Sequence, residues 1–215
     1  MKKLQLLFLC SGILLLAACS NIETVKVTAE DGTIEEFQQD KKTKLKNGFY
    51  KLLSADGKLM AEATYVNGEV TGERKLYFKD GKVMQIQTLK GKIFEGPFKE
   101  FHPNGKVAVE GQYVNSKFEG TWKYYYENGQ VKEIVNFKDN NEDGPFTEYH
   151  RNGKLRAEGQ YKLGVNKFGE SNEDSDNKEH GELKMYDENG ELEKTMKCEF
   201  GVCETTWSKN PATEK

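Results

Sequence analysis

The sequence predicts an all-β fold: an elongated, twisted antiparallel β-meander of stacked 24-residue hairpin repeats with no globular centre. Three observations carry that expectation. Gly48, Gly72, Gly96, Gly120 and Gly144 recur every 24 residues without a slip, and the register returns at Gly181. A second glycine follows each after nine residues (Gly57, Gly81, Gly105, Gly129, Gly153, Gly190), always behind an Asp or Asn, which is turn chemistry between short strands. Ten Tyr and twelve Phe against four Pro is a sheet-former's composition, and glycines at this frequency make helix a poor competitor.

Taken in order, the chain begins with Lys2, Lys3 and an apolar run from Leu4 to Leu16. That run is too short to span a bilayer permanently but suits an export signal. It ends in Leu16-Ala17-Ala18-Cys19, which resembles the lipobox of bacterial lipoproteins. The resemblance implies a signal peptide over 1–18, cleavage before Cys19, and acyl chains such as palmitate on a mature N-terminal Cys19. Two or three such chains anchor a protein where one holds it only marginally. Ser20, where an aspartate would retain the protein at the inner membrane, points by the same resemblance to the outer membrane. Residues 19–47 read as a tether and partial first repeat, in which Val25 to Val27, Asp31-Gly32 and Ile34 to Phe37 echo the later hairpins one residue out of register. Within them, the polar stretch from Gln38 to Lys46 reads as a solvated connector.

Repeats occupy 48–203. Five residues after each opening glycine stand Leu53, Tyr77, Phe101, Tyr125, Tyr149 and Tyr186; two residues after it stand Tyr50, Arg74, Phe98, Trp122, Phe146 and Leu183. Eleven residues on come Leu59, Val83, Val107, Val131, Leu155 and Leu192, and seventeen on come Tyr65, Leu89, Tyr113, Phe137, Tyr161 and Cys198. A three-residue loop ending in a left-handed glycine pairs position five with position eleven, keeping the two most regular apolar columns together. Positions two and five cannot share a face of a flat strand. Either the strand bends near the opening glycine or both faces bury aromatics. Six such hairpins make twelve strands. A lone hairpin is marginal in water, so neighbouring units must cover one another.

Residues Gly120 to Glu133 (GTWKYYYENGQVKE) resemble the bacterial variant of the MORN repeat, whose pattern is glycine, an aromatic, Tyr-x-x-Asn-Gly-Lys-Leu and a Glu-x-x-Tyr return strand. Six copies hold the spacing over roughly 48 to 198, with departures at Arg74 and Cys198. The resemblance implies the same meander and no catalytic residue. Its relatives include lipid-contacting scaffolds, antitoxin-like proteins and surface lipoproteins.

Little else reads as chemistry. His102 and His150 occupy the same place two units apart, four strand spacings or roughly 19 Å, too far to share one ion, and read as solvated or edge-stacked rings. The acidic insertion 169–180 lacks the glycine and glutamate of a calcium loop and reads as solvated. No metal, cofactor or catalytic set is expected, and the chain reads as no enzyme. Cys198 and Cys203 flank Gly201 and are expected to form a disulfide closing the last hairpin, in a compartment that permits it. Residues 204–215, with Trp207, form the tail.

After the leader, 30 basic and 35 acidic residues leave a net charge of −5, which argues against nucleic acid as a partner. The functional expectation is a lipid-anchored envelope protein that binds a protein or glycan partner through its sheet. Candidate contacts are the column Phe101, Tyr125, Tyr149 with Trp122, Tyr124 and Tyr126; the competing reading makes these rings the inter-repeat core. The alternative is an antitoxin or immunity protein that neutralises a toxin by direct binding.

Overall fold

The computed structural model describes residues 21–162 and 178–210. The leader, Cys19, residues 169–177 of the acidic insertion, and the last five residues of the tail lie outside the described residues.

The described residues form one antiparallel sheet of seventeen strand segments laid down in chain order, β11 with β12 and β14 with β15 each lying end to end along one preceding strand. The leading hairpin is β1 (Ile22–Thr28) and β2 (Ile34–Asp40). The repeats follow as β3 (Lys46–Leu53) with β4 (Leu59–Val66), β5 (Glu69–Tyr77) with β6 (Val83–Lys90), and β7 (Ile93–Phe101) with β8 (Val107–Val114). Then come β9 (Lys117–Tyr125) with β10 (Val131–Lys138), β11 and β12 (Asn141–Glu142, Gly144–Tyr149) with β13 (Leu155–Lys162), and β14 and β15 (Lys178–Glu179, Gly181–Tyr186) with β16 (Leu192–Glu199). Last is β17 (Val202–Ser208). The short β11 and β14 pair with the same neighbours as β12 and β15 and extend them beyond a break at the opening glycine.

The hairpin register pairs Tyr125 with Val131 and Tyr149 with Leu155, as the glycine spacing predicts. Inside that pair the Tyr126 amide donates to the Gln130 carbonyl at 2.9 Å, leaving three loop residues that end at Gly129 with φ of 88°. Only glycine adopts that φ without strain, which explains why the second glycine never varies. Five of the links after a hairpin are two-residue turns, and four of them place both residues in the left-handed region: Asn67-Gly68, Asn115-Ser116, Asp139-Asn140 and Phe200-Gly201.

The conflict between positions two and five resolves both ways at once. The ladder slips near each opening glycine, between Ala63 and Tyr65, between Gln87 and Leu89, and between Glu110 and Gln112. Beyond the slip the strand alternates normally. Position two then faces one side of the sheet and position five the other.

The partial first repeat is a full hairpin that leaves no tether within 21–40: β1 and β2 pair over seven residues with Val25 opposite Phe37, and Phe37 is buried. The polar stretch from Gln38 is no loose connector either. It splits into the end of β2, a capped turn and the start of β3. The Asp40 carboxylate accepts the Lys42 and Thr43 amides at 2.9 and 2.7 Å, holding that turn closed. Side-chain capping of this kind leaves no periodic signal, so the polar composition alone was misleading.

At the other end the disulfide joins Cys198 to Cys203 across the β16–β17 turn, with Cys198 2% exposed in the slot that tyrosine holds in three other units. Residues from 204 onward in the predicted tail continue β17, though Val202 and Trp207 stay largely exposed. Cys203→Ser should cost about 2 kcal/mol, the loop-closure entropy of so short a ring. Hydrogen exchange on the variant should show the loss in β17 and not in β9, because each unit touches only its neighbours.

Candidate functional site

One face of the sheet is aromatic. Trp122, 1% exposed, lies 4.3 Å from Phe118 between ring centroids and 5.5 Å from Phe98, with Tyr113 edge-on at 5.3 Å. Phe137 closes the cluster, and Phe146 stacks on Tyr161 at 4.2 Å one unit further. The backbone makes room for these rings. A Cβ on Gly111 would stand 2.2 Å from Trp122 Cδ2, and one on Gly159 would stand 2.9 Å from Phe146 Cε1. The core of this single-layer sheet is thus made of side chains lying flat on neighbouring strands.

The opposite face is polar and also periodic. Tyr77, Tyr125 and Tyr186 donate their hydroxyls to Glu62, Glu110 and Glu158 of the preceding unit at 2.6, 2.6 and 2.8 Å. Lys75, Lys99 and Lys184 lie 3.6, 3.4 and 3.8 Å from the same carboxylates. Where that position holds Ile86 or Ile134 instead of glutamate, the ring of the next unit is Phe101 or Tyr149. The Tyr125 hydroxyl and Lys99 hold the Glu110 carboxyl below its usual range, while burial first and Glu110 second push the Tyr125 phenol up to about 12.

A third column runs along the turns. His102 Nε2 lies 2.9 Å from the Tyr125 carbonyl, the Tyr126 hydroxyl donates to the Tyr149 carbonyl at 2.8 Å, and His150 Nε2 lies 2.9 Å from the Tyr186 carbonyl. A carbonyl only accepts, so Nε2 of each histidine carries the proton. Asn104, Asn128 and Asn152 donate Nδ2 to the carbonyls of Glu127, Arg151 and Glu188 at 2.7, 2.9 and 2.8 Å. Each imidazole does what a tyrosine hydroxyl does in the unit between them, which gives the twin histidines a structural role in place of the solvated one. Among the described residues no group of His, Cys, Asp and Glu is placed to hold a metal ion.

The six candidate contact residues are therefore not one site. Trp122 and Tyr124 lie on the aromatic face, Phe101, Tyr125 and Tyr149 on the polar face, and Tyr126 in the turn column. The side-chain period of two along a strand separates them. Trp122 is withdrawn from any contact surface by its burial.

A group the ring columns did not reveal lies beside the aromatic cluster. Glu133 is the direct cross-strand partner of Glu148 and lies next to Tyr124 in the ladder; Glu142 faces Phe137, and Glu179 faces Tyr161. All four are on the aromatic face. Burial, then Glu148 and Glu142, raise the Glu133 carboxyl, and burial, then Glu179, raise Glu142. Burial and Glu133 push the Tyr124 phenol up to about 12. A legible signal existed: the Glu133 position holds Ala61, Gln85, Val109, Ala157 and Lys194 in other units, so an acid stands there once, and the Glu142 position holds Lys46, Val70, Phe94 and Phe118 before Glu142 and Glu179.

Glu133 and Glu142 set a pH dependence whose sign is fixed. Their folded pKa values lie above the ordinary glutamate value, so the folded state holds the protons more tightly than the unfolded chain. Stability is fully present below that ordinary value and is lost as pH rises through the raised ones. Glu133→Gln should therefore stabilise the protein at pH 7.5 by a screened amount, less than about 1 kcal/mol, and by nothing at pH 4. Thermal unfolding of both proteins at the two pH values checks this. Glu110 works in the opposite sense, and it is unchanged in the variant.

Five stretches, 70–90, 94–115, 118–139, 142–163 and 179–197, match the family model described as the MORN repeat variant. No curated protein matches the chain. Among solved structures, a porin-like protein from Bacteroides uniformis is similar over 86% of this chain and 91% of its own, at 9% identity and a TM-score of 0.21. From Val70 to Lys197, the hairpins of the sheet are thus built as five units of the MORN repeat variant.

Proposed function

We propose that the chain is a non-enzymatic binding module of the cell envelope, held at a membrane by acyl chains on Cys19, most simply the outer membrane. Its aromatic face engages an extended segment of a protein partner that carries basic residues. The observation that carries this reading is the set of four glutamates, Glu133, Glu142, Glu148 and Glu179, placed on the aromatic face around Tyr124 and Tyr161. Rings supply flat apolar contact, and Glu133 and Glu142, raised by burial and then by their acidic neighbours, gain most from a neighbouring cation. Repeat stacking presents these groups along a surface, as an extended segment requires, with no pocket needed.

A photo-reactive side chain placed at Tyr124, and separately at Lys99 on the polar face, tests this in intact cells. Cross-links to a protein should form from position 124 and not from 99, and Glu133→Lys with Glu142→Lys should abolish them. Equal cross-linking from both faces, or indifference to charge reversal, would refute the reading. Mass spectrometry of the mature N-terminus tests the anchor separately: an unmodified N-terminus refutes it.

A further inference from the structure

The turn column is tied differently at its two ends. Between the units opened by Gly96 and Gly120, three side chains reach across: His102 and Asn104 as above, and Lys106 Nζ, which donates to the Asn128 carbonyl at 2.6 Å. Between those opened by Gly144 and Gly181, His150, Asn152 and Lys154 repeat all three. Between the units opened by Gly48 and Gly72, none is made. Ser54 replaces the ring and turns back onto Asp56 and the Lys58 carbonyl. Asp56 has no Nδ2 to donate, and Lys58 pairs with Asp56 at 3.0 Å instead of crossing.

Where the ties are missing the structure has a cavity of about 310 Å³, lined by Ser54, Leu59, Met60, Tyr77 and Phe78, with Lys79 at its rim. In three other units the ring at the Ser54 position crosses to the carbonyl of the next unit. Met60 is 43% exposed there, an apolar side chain with nothing over it. Asp56 and Lys58 neutralise each other at the mouth, whereas Lys79 has no carboxylate partner among the described residues.

We infer that this slot between the first two turns is a binding site for a hydroxyaryl acid: a planar ring bearing a hydrogen-bond donor on one edge and a negative charge on the other. The chain's own side chains define the ring and the donor. In the equivalent slots an imidazole or phenol enters from the preceding turn and donates to the carbonyl of position five, which here is Tyr77. Charge complementarity to Lys79 defines the acid. The site lies on the turn edge, away from the aromatic face, and stands or falls independently of that face.

The probe is 3-(4-hydroxyphenyl)propanoate, titrated against the folded chain and followed by the Met60 methyl resonance. Saturable shifts at Met60 are expected. The analogue lacking the hydroxyl should bind about five- to tenfold more weakly, the worth of one hydrogen bond, and tyramine, which replaces the acid by an amine, should also bind more weakly. Ser54→His, which supplies the missing ring from the chain itself, should abolish binding while leaving the protein folded and no less heat-stable. No saturable shift at Met60, equal binding of all three probes, or full binding by Ser54→His would each overturn the assignment.

Discussion

Trp122→Ala should lower stability by about 3–5 kcal/mol, the usual cost of removing a large buried ring. The reason is the absence of a second layer. Trp122 is 1% exposed in a sheet that covers its core only with its own side chains, and Phe98, Tyr113, Phe118 and Phe137 all rest on it. The rings come from two successive units, so one truncation loosens the contact between them. Trp122→Phe should cost far less, below about 1.5 kcal/mol, because a smaller ring fills most of the same space. The indole Nε1 is buried without a hydrogen-bond partner, so its loss removes an uncompensated polar group. Urea unfolding of the three proteins orders them; a Phe variant as weak as the Ala variant would show that Nε1 is bonded after all.

Gly111→Ala comes next, with an expected loss of about 1–3 kcal/mol from overpacking. The new Cβ would stand 2.2 Å from Trp122 Cδ2, a contact that must be relieved by moving a fully buried ring. Gly159→Ala should be milder, since its closest approach is 2.9 Å, to the edge of Phe146. The cause can be isolated with a double-mutant cycle. In the Trp122→Ala background the Gly111→Ala loss should largely vanish, because the atom it strikes is gone. A penalty that persists there would place the effect in the backbone.

Much of this architecture could be read from spacing alone. The glycine pairs locate the hairpins, and the pairing of Tyr125 with Val131 follows from the left-handed conformation forced at Gly129. The five family matches fall on the same register. The first hairpin was legible only as a partial repeat because Gly32 sits one residue out of phase and the turn at Asp40 is held by side-chain capping, which has no period. Seventeen strand segments replace the expected twelve for that reason, with β17 and the breaks in β11–β12 and β14–β15 making up the rest.

The site was less legible. The candidate contacts joined Trp122 to Tyr125 although positions two and five cannot share a face of a flat strand, and the sheet lies between them. His102 and Tyr126 share no chemistry in composition, yet both reach a carbonyl of the next turn. The acidic group around Glu133 required attention to what each column lacks in one unit, as did the slot beside Ser54. In a repeat protein departures from the pattern carry the specific function, whereas the pattern carries the fold.

The central claim is that the stack is secured unit by unit, most strongly where rings and turn ties coincide. Native-state hydrogen exchange resolved by residue tests it most directly. Slowest exchange is expected in β8, β9 and β10, flanking Trp122, with protection falling through β4 and β5, where no turn tie is made, and lowest in β1. Equal protection along the whole sheet, or a maximum in β1 to β4, would contradict it.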